Sequence, residues 1–274
     1  MATTRFRTLW VTDPHLEFLT DDASTRAQFL QELRQEPADA ILITGDITNA
    51  ANLKTELERL AQLDRPVYFI LGNHDFYGGT ITGSSDIAKK VAKDYRERLI
   101  YLDDTWIVRR TNTATLIGVN GFADGLAGKG SKTRARINDF FHIQNFASLQ
   151  NDSGRFNLMR TLAENATKKL ERKLLAAAPD SNRVVIATHV PPFIESSFHE
   201  GKTGSAEYLP FFTCPTMGRM LLDIAERFPK VEFEVFAGHT HSPAPLYRPV
   251  QNLTVTVDGA EYGNPKISKV LEFL

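Results

Sequence analysis

The sequence predicts an α/β fold, and two observations support this prediction. Short apolar runs that are typical of strands alternate with segments of helical spacing through the N-terminal half. Strands separated by helices pair in parallel, with the helices on the faces of the sheet. From Trp106 the spacing changes, because the runs 106–110 and 114–120 flank a short polar turn as in an antiparallel hairpin. We therefore expect a mixed sheet, within a single domain that spans residues 1–274.

Each element follows from its local pattern. The segment 21–36 has Phe29 and Leu33 on one helical side and Pro37 directly after it. By the same reasoning we predict strands at 6–12, 40–44, 67–71, 183–188, 232–237, 253–257 and 269–273. Further helices are predicted at 52–63, 87–99, 157–178 and 216–228. We expect two surface loops, the first excursion (residues 121–154) and the second excursion (residues 191–215).

Composition and charge limit the classes of function. Lys and Arg total 32 and Asp and Glu total 33, so neither nucleic acid nor an anionic membrane is needed as a partner. No apolar run approaches the roughly 18 residues of a membrane span, and the N-terminal run is too brief for a secretory signal. The single cysteine, Cys214, excludes an internal disulfide and a multi-cysteine zinc site. We expect a cytoplasmic protein that acts on a small molecule.

Residues of metal-ligand type follow five of the predicted strands, at the point where each strand ends. The five segments are Asp13-Pro14-His15, Gly45-Asp46, Gly72-Asn73-His74-Asp75, His189 and Gly238-His239-Thr240-His241. Five of the seven histidines lie in these segments, and the exceptions are His142 and His199. Because ligands gather beyond the carboxyl ends of parallel strands, we expect these side chains to converge.

The composition of these segments suits a metal centre. The i, i+2 spacing of Asp13 and His15, repeated by His239 and His241, can aim two side chains the same way from an extended chain. Carboxylate, imidazole and amide ligands without a thiolate suit manganese, iron, zinc, cobalt or nickel. Each segment alone has a structural explanation, as a turn or a buried histidine, but five of them at five strand ends favour a shared site.

Together the five segments resemble the motif series of the calcineurin-like metallophosphoesterases, and they span residues 13–241. The resemblance implies a four-layer α/β/β/α sandwich of two mixed sheets flanked by helices, with a dinuclear metal site at the sheet edges. The implied ligands are Asp13, His15 and His241 for the first metal, Asn73, His189 and His239 for the second, and Asp46 as the bridge between them. The resemblance also makes His74 the catalytic histidine and Asp75 its orienting partner, with a helix or turn cap as the alternative for Asp75.

The implied activity is the hydrolysis of a phosphate ester by a metal-bound hydroxide. Two divalent or mixed-valence cations lower the pKa of a shared water and neutralise phosphoryl oxygens, and His74 donates a proton to the leaving oxygen. We lean to a phosphodiester or a nucleotide-like small molecule as substrate. A nuclease on single-stranded nucleic acid is an alternative that the net charge of −1 disfavours. A non-catalytic scaffold is another, which the complete ligand set argues against.

Three further features each have two interpretations. The basic residues between 129 and 136 either form an anion-steering rim or lie on a solvated face. The rings of Phe76, Tyr77 and Tyr262 either stack on a base or sugar or pack in the core or at the rim of the site. The glycine-rich segment 125–131 superficially resembles a nucleotide-phosphate loop, but it fails the spacing of that motif and is expected to be a flexible loop.

Overall fold

The first of two large sheets contains the N-terminal strands. The computed structural model describes residues 6–19, 24–109, 111 and 113–273. The parallel strands of the first sheet are β1 (Phe6–Val11), β2 (Ala40–Thr44), β3 (Val67–Ile70) and β4 (Leu99–Tyr101). At one edge, β13 (Lys269–Phe273) runs antiparallel to β1, so the strand order is β13-β1-β2-β3-β4.

The second sheet contains the remaining long strands and has antiparallel strands at both edges. Its members are β5 (Val108–Arg109), β6 (Ala114–Gly118), β7 (Arg183–Ala187), β10 (Glu232–Ala237), β11 (Tyr247–Val250) and β12 (Leu253–Val257), in the order β11-β12-β10-β7-β6-β5. The predicted hairpin is confirmed, since β5 and β6 are antiparallel, although part of its turn lies outside the described residues. A separate two-stranded hairpin, β8 (Phe198–His199) and β9 (Lys202–Thr203), lies in the second excursion.

Helices form the two outer layers. The helices α1 (Ser24–Gln35), α2 (Leu53–Leu60) and α3 (Ile81–Asp94) connect strands of the first sheet. The helices α6 (Asp152–Ala177) and α8 (Pro215–Arg227) pack on each other and on β6 and β12 of the second sheet. Shorter helices are α4 (Asp139–His142), α5 (Gln144–Ala147) and α7 (Leu209–Phe212). The expected sandwich of two mixed sheets flanked by helices is confirmed. None of the described helices is long and apolar enough to cross a membrane.

The two sheets pack face to face through alternate side chains. In β2, Ala40 and Leu42 belong to the core between the sheets, whereas Ile41 and Ile43 belong to the larger core that includes the helices. A strand buried on both faces has no polar side, which explains its continuous apolar run. Trp10 of β1 and Phe236 of β10 bring the sheets together, with ring centroids 5.1 Å apart in an edge-to-face arrangement.

Some predicted boundaries are wrong. The helix predicted at 87–99 begins at Ile81, where the Thr80 side chain accepts a hydrogen bond from the Gly83 amide, and ends at Asp94. That prediction overlaps β4 at Leu99, and the strand itself was not predicted because three residues show no distinct periodicity. The helix predicted at 157–178 begins at Asp152, since the Asn151 side chain caps it by accepting from the Gly154 amide. The start predicted for α1, Asp21, lies outside the described residues.

The two excursions contact each other and enclose buried side chains. The carboxylate of Glu207 accepts hydrogen bonds from the Lys129 ammonium, from the Thr133 hydroxyl at 2.7 Å and from the Arg134 amide at 2.8 Å. These bonds, with that of Lys129 first, lower the pKa of Glu207 to about 2. In the first excursion Phe140 is fully buried, so this segment is not only a surface loop.

We predict that Glu207→Gln loosens the first excursion without unfolding the protein. The change removes the charge that holds Lys129, Thr133 and Arg134, so trypsin should cleave after Lys129 and Arg134 several times faster, as measured by limited proteolysis and mass spectrometry. Because the folded pKa of Glu207 is depressed, its stabilising effect is present above the unfolded value of 4.5 and is lost as pH falls towards 2. The exposed Glu195→Gln serves as control. Equal cleavage of both variants would contradict the prediction.

Candidate metal centre

The predicted ligands adopt an unusual backbone conformation. Five of them have left-handed φ values: Asp13 (48°), His15 (44°), Asp46 (50°), His239 (69°) and His241 (54°). Among the described non-glycine residues, only Glu97 and Glu200 share this region. Residues with side chains are strained there and persist where the surrounding structure holds them, which is common at functional sites.

Two glycines let the ligand loops approach closely. A Cβ atom on Gly72 would lie 2.2 Å from Oδ1 of Asp46, and one on Gly238 would lie 1.9 Å from Oδ2 of Asp13. Both distances are far below van der Waals contact, so any side chain would displace a carboxylate. The glycines at these strand ends are therefore explained by the space that the ligands occupy.

The predicted ligands of the first metal lie together. The Nε2 atoms of His15 and His241 are 2.9 Å apart. Nε2 of His15 is 3.7 Å from Oδ2 of Asp46, and Nε2 of His241 is 3.7 Å from Oδ1 of Asp13. These four side chains form one compact group of atoms of ligand type.

The predicted ligands of the second metal form a neighbouring group. Oδ1 of Asn73 lies 3.0 Å from Nε2 of His189 and 2.9 Å from Nδ1 of His239. Oδ1 of Asp46 is 3.4 Å from the same Nε2 atom of His189. The two oxygens of Asp46 therefore face different groups, one towards His15 and the other towards His189.

The spacing of these atoms fits divalent cations. Ligand atoms about 2.1 Å from one cation lie roughly 3.0 to 3.4 Å from each other in octahedral and tetrahedral arrangements. The shorter contacts in both groups fall in or near this range, and the longer ones exceed it by a few tenths of an ångström. Two imidazole nitrogens that face each other, as in His15 and His241, repel unless a proton or a cation lies between them. The nitrogen and oxygen donors present suit first-row transition metals.

Outer hydrogen bonds orient three of the imidazole rings. Nδ1 of His189 is 2.9 Å from the Thr44 carbonyl oxygen, and Nε2 of His239 is 3.0 Å from the Phe211 carbonyl oxygen. Because a carbonyl only accepts, each of these nitrogens carries the proton, and the opposite nitrogen is left free to bind a cation. Nδ1 of His15 lies 3.3 Å from Oε1 of Glu17 in the same way.

Electrostatic effects keep Asp46 ionised and His239 and His241 neutral, which are the protonation states in which these side chains bind cations. Burial tends to raise the pKa of the Asp46 carboxyl, but His189 and His74 hold it well below its usual range. Burial, assisted by His189, lowers the pKa of His239 to about 3, and burial also lowers that of His241, so both rings stay neutral. Burial opposes protonation of His189 as well, yet Asp46 raises its pKa to about 10. A cation between these two groups would take the place of that proton.

His74 lies beside both groups, and a residue that the sequence analysis missed holds its ring. Its backbone amide donates to Oδ1 of Asp46 at 2.8 Å. Nδ1 of its ring lies 3.1 Å from Oε1 of Glu17, the same oxygen that contacts His15. Glu17 follows His15 in a short 3-10 helix, Leu16–Phe18, and no recognisable motif marks it.

Asp75, the expected orienting partner of His74, bonds to the backbone of the loop that carries that residue. Its two carboxylate oxygens accept hydrogen bonds from the backbone amides of Thr48 at 3.0 Å and Gly72 at 2.8 Å. Asp75 is fully buried beneath the loop, so it braces the turn that carries Asn73 and His74. The alternative interpretation, a turn cap, agrees with these contacts.

The first excursion contributes a second missed residue, Asp139. Its Oδ1 accepts hydrogen bonds from Nδ2 of Asn73 at 2.9 Å and from the Tyr77 hydroxyl at 2.6 Å. Because the amide nitrogen of Asn73 is held in this way, its Oδ1 points towards His189 and His239. Asp139 lies in a segment of low sequence regularity, and nothing in that pattern indicates its role.

A cavity of about 430 Å³ lies next to the ligand groups. Its wall includes His74, Tyr77, Arg136 and Tyr262. Of the basic residues between 129 and 136, Arg136 reaches this wall and also pairs with Asp152 at 2.8 Å. Tyr77 stacks on His74 with ring centroids 4.2 Å apart, whereas Phe76 is buried against Phe122 and belongs to the core.

Solved structures of other proteins share the fold. Phosphopantetheinyl hydrolase from Mycobacterium tuberculosis superposes with a TM-score of 0.64 at 11% identity, covering 93% of this chain and 89% of that one. TT1561 of Thermus thermophilus gives 0.53 at 15% identity, covering 93% and 90%. GAP50, the anchor in the inner membrane complex of Plasmodium, gives 0.53 at 14% identity, covering 94% and 72%. At these identities the likeness establishes the fold alone.

The sequence itself establishes the family. No curated protein matches the chain in sequence. The family model described as calcineurin-like phosphoesterase matches residues 6–243, which include the five strand ends and the ligand groups found there. This family typically uses a dinuclear metal site, in agreement with the two ligand groups that share Asp46. The chain therefore belongs to the calcineurin-like phosphoesterase family and is a metal-dependent phosphoesterase.

Proposed function

We propose that this enzyme hydrolyses a small-molecule phosphate ester, preferring diesters, at a centre of two cations. The metal ligands in this proposal are Asp13, His15, Asp46, Asn73, His189, His239 and His241. The observation that carries it is the placement of Asp46, whose two oxygens face separate groups of ligand atoms at 3.7 and 3.4 Å. A carboxylate in this position suits a bridge between two cations.

The residues around the centre have separate roles in the proposed reaction. When bound, two cations supply Lewis acidity and lower the pKa of water, which suits attack on phosphorus at neutral pH. The outer contacts to Thr44 and Phe211 hold His189 and His239 in the orientations that ligation needs. Asp139 fixes the amide of Asn73, and buried Asp75 keeps the loop in shape.

His74 is the proposed general acid. Burial tends to lower the pKa of its ring, but Asp46 and then Glu17 raise it above the ordinary value of 6.5, which favours the protonated form. Since bound cations would share the charge of Asp46, the contact with Glu17 and the charge of Asp139 are the contributions to the raised pKa that persist. A protonated ring beside the cavity can donate a proton to the leaving oxygen of the ester.

Two spaces beside the centre support a preference for diesters. The cavity of about 430 Å³ adjoins a second cavity, since Phe212 and Thr240 line both spaces. A phosphodiester carries two organic groups on phosphorus, and each space can receive one of them. Tyr262, which is half exposed, offers a ring surface at the mouth of the first space.

Replacement of the bridging carboxylate tests the metal centre. We predict that Asp46→Asn loses bound manganese and activity together, roughly 100-fold or more in activity, because even outer-shell partners of ligands cost about 10- to 100-fold. Metal content is measured by mass spectrometry after dialysis, and activity with bis(p-nitrophenyl) phosphate. The surface variant Asp64→Asn is the control and should match the parent. A fully metallated Asp46→Asn enzyme would refute the bridging role.

Replacement of the proposed acid tests the chemical step. His74→Ala should keep its metal content and lose roughly 10²- to 10⁴-fold in kcat, because a positioned proton donor contributes about that factor. The loss should be smaller for p-nitrophenyl esters, whose leaving group needs little protonation, than for alkyl esters. The exposed His142→Ala provides a matched control. An equal loss on both kinds of ester would show that His74 does not donate the proton.

A double-mutant cycle tests Glu17 as the residue that positions His74. We predict that Glu17→Gln lowers kcat roughly tenfold, in line with the cost of losing an orienting partner. In a His74→Ala background the same change should have almost no further effect on kcat, because the contact at 3.1 Å is already lost. Because Glu17 also contacts His15, a proposed metal ligand, the metal content of each variant is measured. A loss of kcat at unchanged metal content then reports on the contact with His74. Additive losses in kcat at unchanged metal content would mean that Glu17 acts independently of His74.

A further inference from the structure

A second cavity, of about 500 Å³, lies beside the metal centre, and we call it the side chamber. His199, Phe212 and Thr240 line both this chamber and the cavity next to the ligands, so the two spaces adjoin. The ring of Phe212 lies 4.7 Å from the ring of His239, which places the chamber one side chain away from the ligand groups. A group attached to phosphorus can therefore reach into it.

The second excursion builds the side chamber as a shaped element. Strands β8 and β9 pair through a tight turn in which Glu200 and Gly201 both have positive φ, 50° and 77°. The Gly204 amide donates to the Ser197 carbonyl at 2.9 Å, and the Ser197 hydroxyl donates to the Phe212 carbonyl at 2.9 Å. These bonds join the hairpin to helix α7, so hydrogen bonds to backbone carbonyls hold the walls together.

The chamber is lined by rings. Phe198, Tyr208 and Phe212 form part of its wall, and buried Leu209 adds aliphatic surface. Tyr208 is 49% exposed, so much of its surface remains available for a ligand. Aromatic faces and edges favour contacts with other aromatic groups beyond the effect of area alone.

The charged residues of the lining do not select an anion. Glu200 and Lys202 carry opposite charges and both line the chamber, so their formal charges cancel. A second phosphate would therefore gain little there. A volume of about 500 Å³ lies within the usual range for small-molecule pockets and accommodates a single or fused ring.

We propose that the side chamber binds an aromatic organic group of the substrate, so that the enzyme selects phosphate esters that carry an aromatic ring. This inference rests on the proposed function, because the ring is attached to the phosphate that the metal centre holds. On this proposal the second excursion, and not the set of metal ligands, determines which phosphate esters the enzyme selects.

Binding of phosphonates, which are not hydrolysed, tests the proposal apart from activity. Calorimetry on the manganese-loaded protein compares methyl-, hexyl- and benzylphosphonate. Benzylphosphonate should bind at least about tenfold more tightly than methylphosphonate, as expected for the burial of one ring, and more tightly than hexylphosphonate. Ser205→Trp, at an exposed position of the lining, should fill the chamber and remove the preference for benzylphosphonate. Tyr208→Ala should weaken that preference.

The control is Ala206→Trp, which adds the same bulk at a neighbouring exposed residue outside the lining. It should retain the preference of the parent. Equal binding of methyl- and benzylphosphonate, or a preference that survives in Ser205→Trp, would overturn the proposal. Equal binding of hexyl- and benzylphosphonate would overturn the aromatic assignment. If the preference holds but the parent hydrolyses no ester, the proposed function fails and the binding role of the chamber stands.

Discussion

A buried carboxylate between two groups of histidine side chains is the constraint on which this site depends. Asp46 is 1% exposed, and its desolvation is costly unless positive charge compensates it. The nearest compensation comes from histidines whose facing nitrogens cannot all carry protons, since those of His15 and His241 are 2.9 Å apart. Bound cations would remove both conflicts, because they would neutralise the carboxylate and accept lone pairs from the rings. The charge balance of the interior is thus that of a metalloprotein.

The same constraint explains the strained backbone around the ligands. A non-glycine residue in a sparsely populated region of φ and ψ costs on the order of 1–3 kcal/mol. Bonds between loops hold these conformations: the His15 amide donates to the Asp46 carbonyl at 3.0 Å, and the His239 amide donates to Oδ1 of Asp13 at 2.9 Å. The parallel strands fix the loop ends, so each loop is held both by its own sheet and by its neighbour.

The features that could be predicted from the sequence are those in which a residue of metal-ligand type follows a regular apolar strand. His189 and Asp46 each follow an apolar strand, so their placement at the sheet edge could be derived from the sequence, and the family resemblance supplied the four-layer arrangement. Glu17 and Asp139 could not be found in this way, because their roles arise only where separate segments meet in three dimensions. Asp75 is a different case: the resemblance implied that it orients the ring of His74, whereas its carboxylate oxygens accept from the backbone amides of Thr48 and Gly72. The strand β4 was missed because three residues are too few to show a period.

The second excursion has two roles, and these limit which of its residues can change. Its hairpin lines the side chamber, whereas the carbonyl of Phe211, in helix α7 of the same excursion, accepts from the ring of His239. The first excursion is bound in a comparable way through Asp139 and Asn73. A descendant with altered selectivity can therefore exchange residues around β8 and β9, but it must keep the backbone carbonyl of residue 211 in place and an acceptor side chain at 139. Evolution of substrate range in this lineage is expected to proceed by substitutions within the excursions rather than by their wholesale replacement.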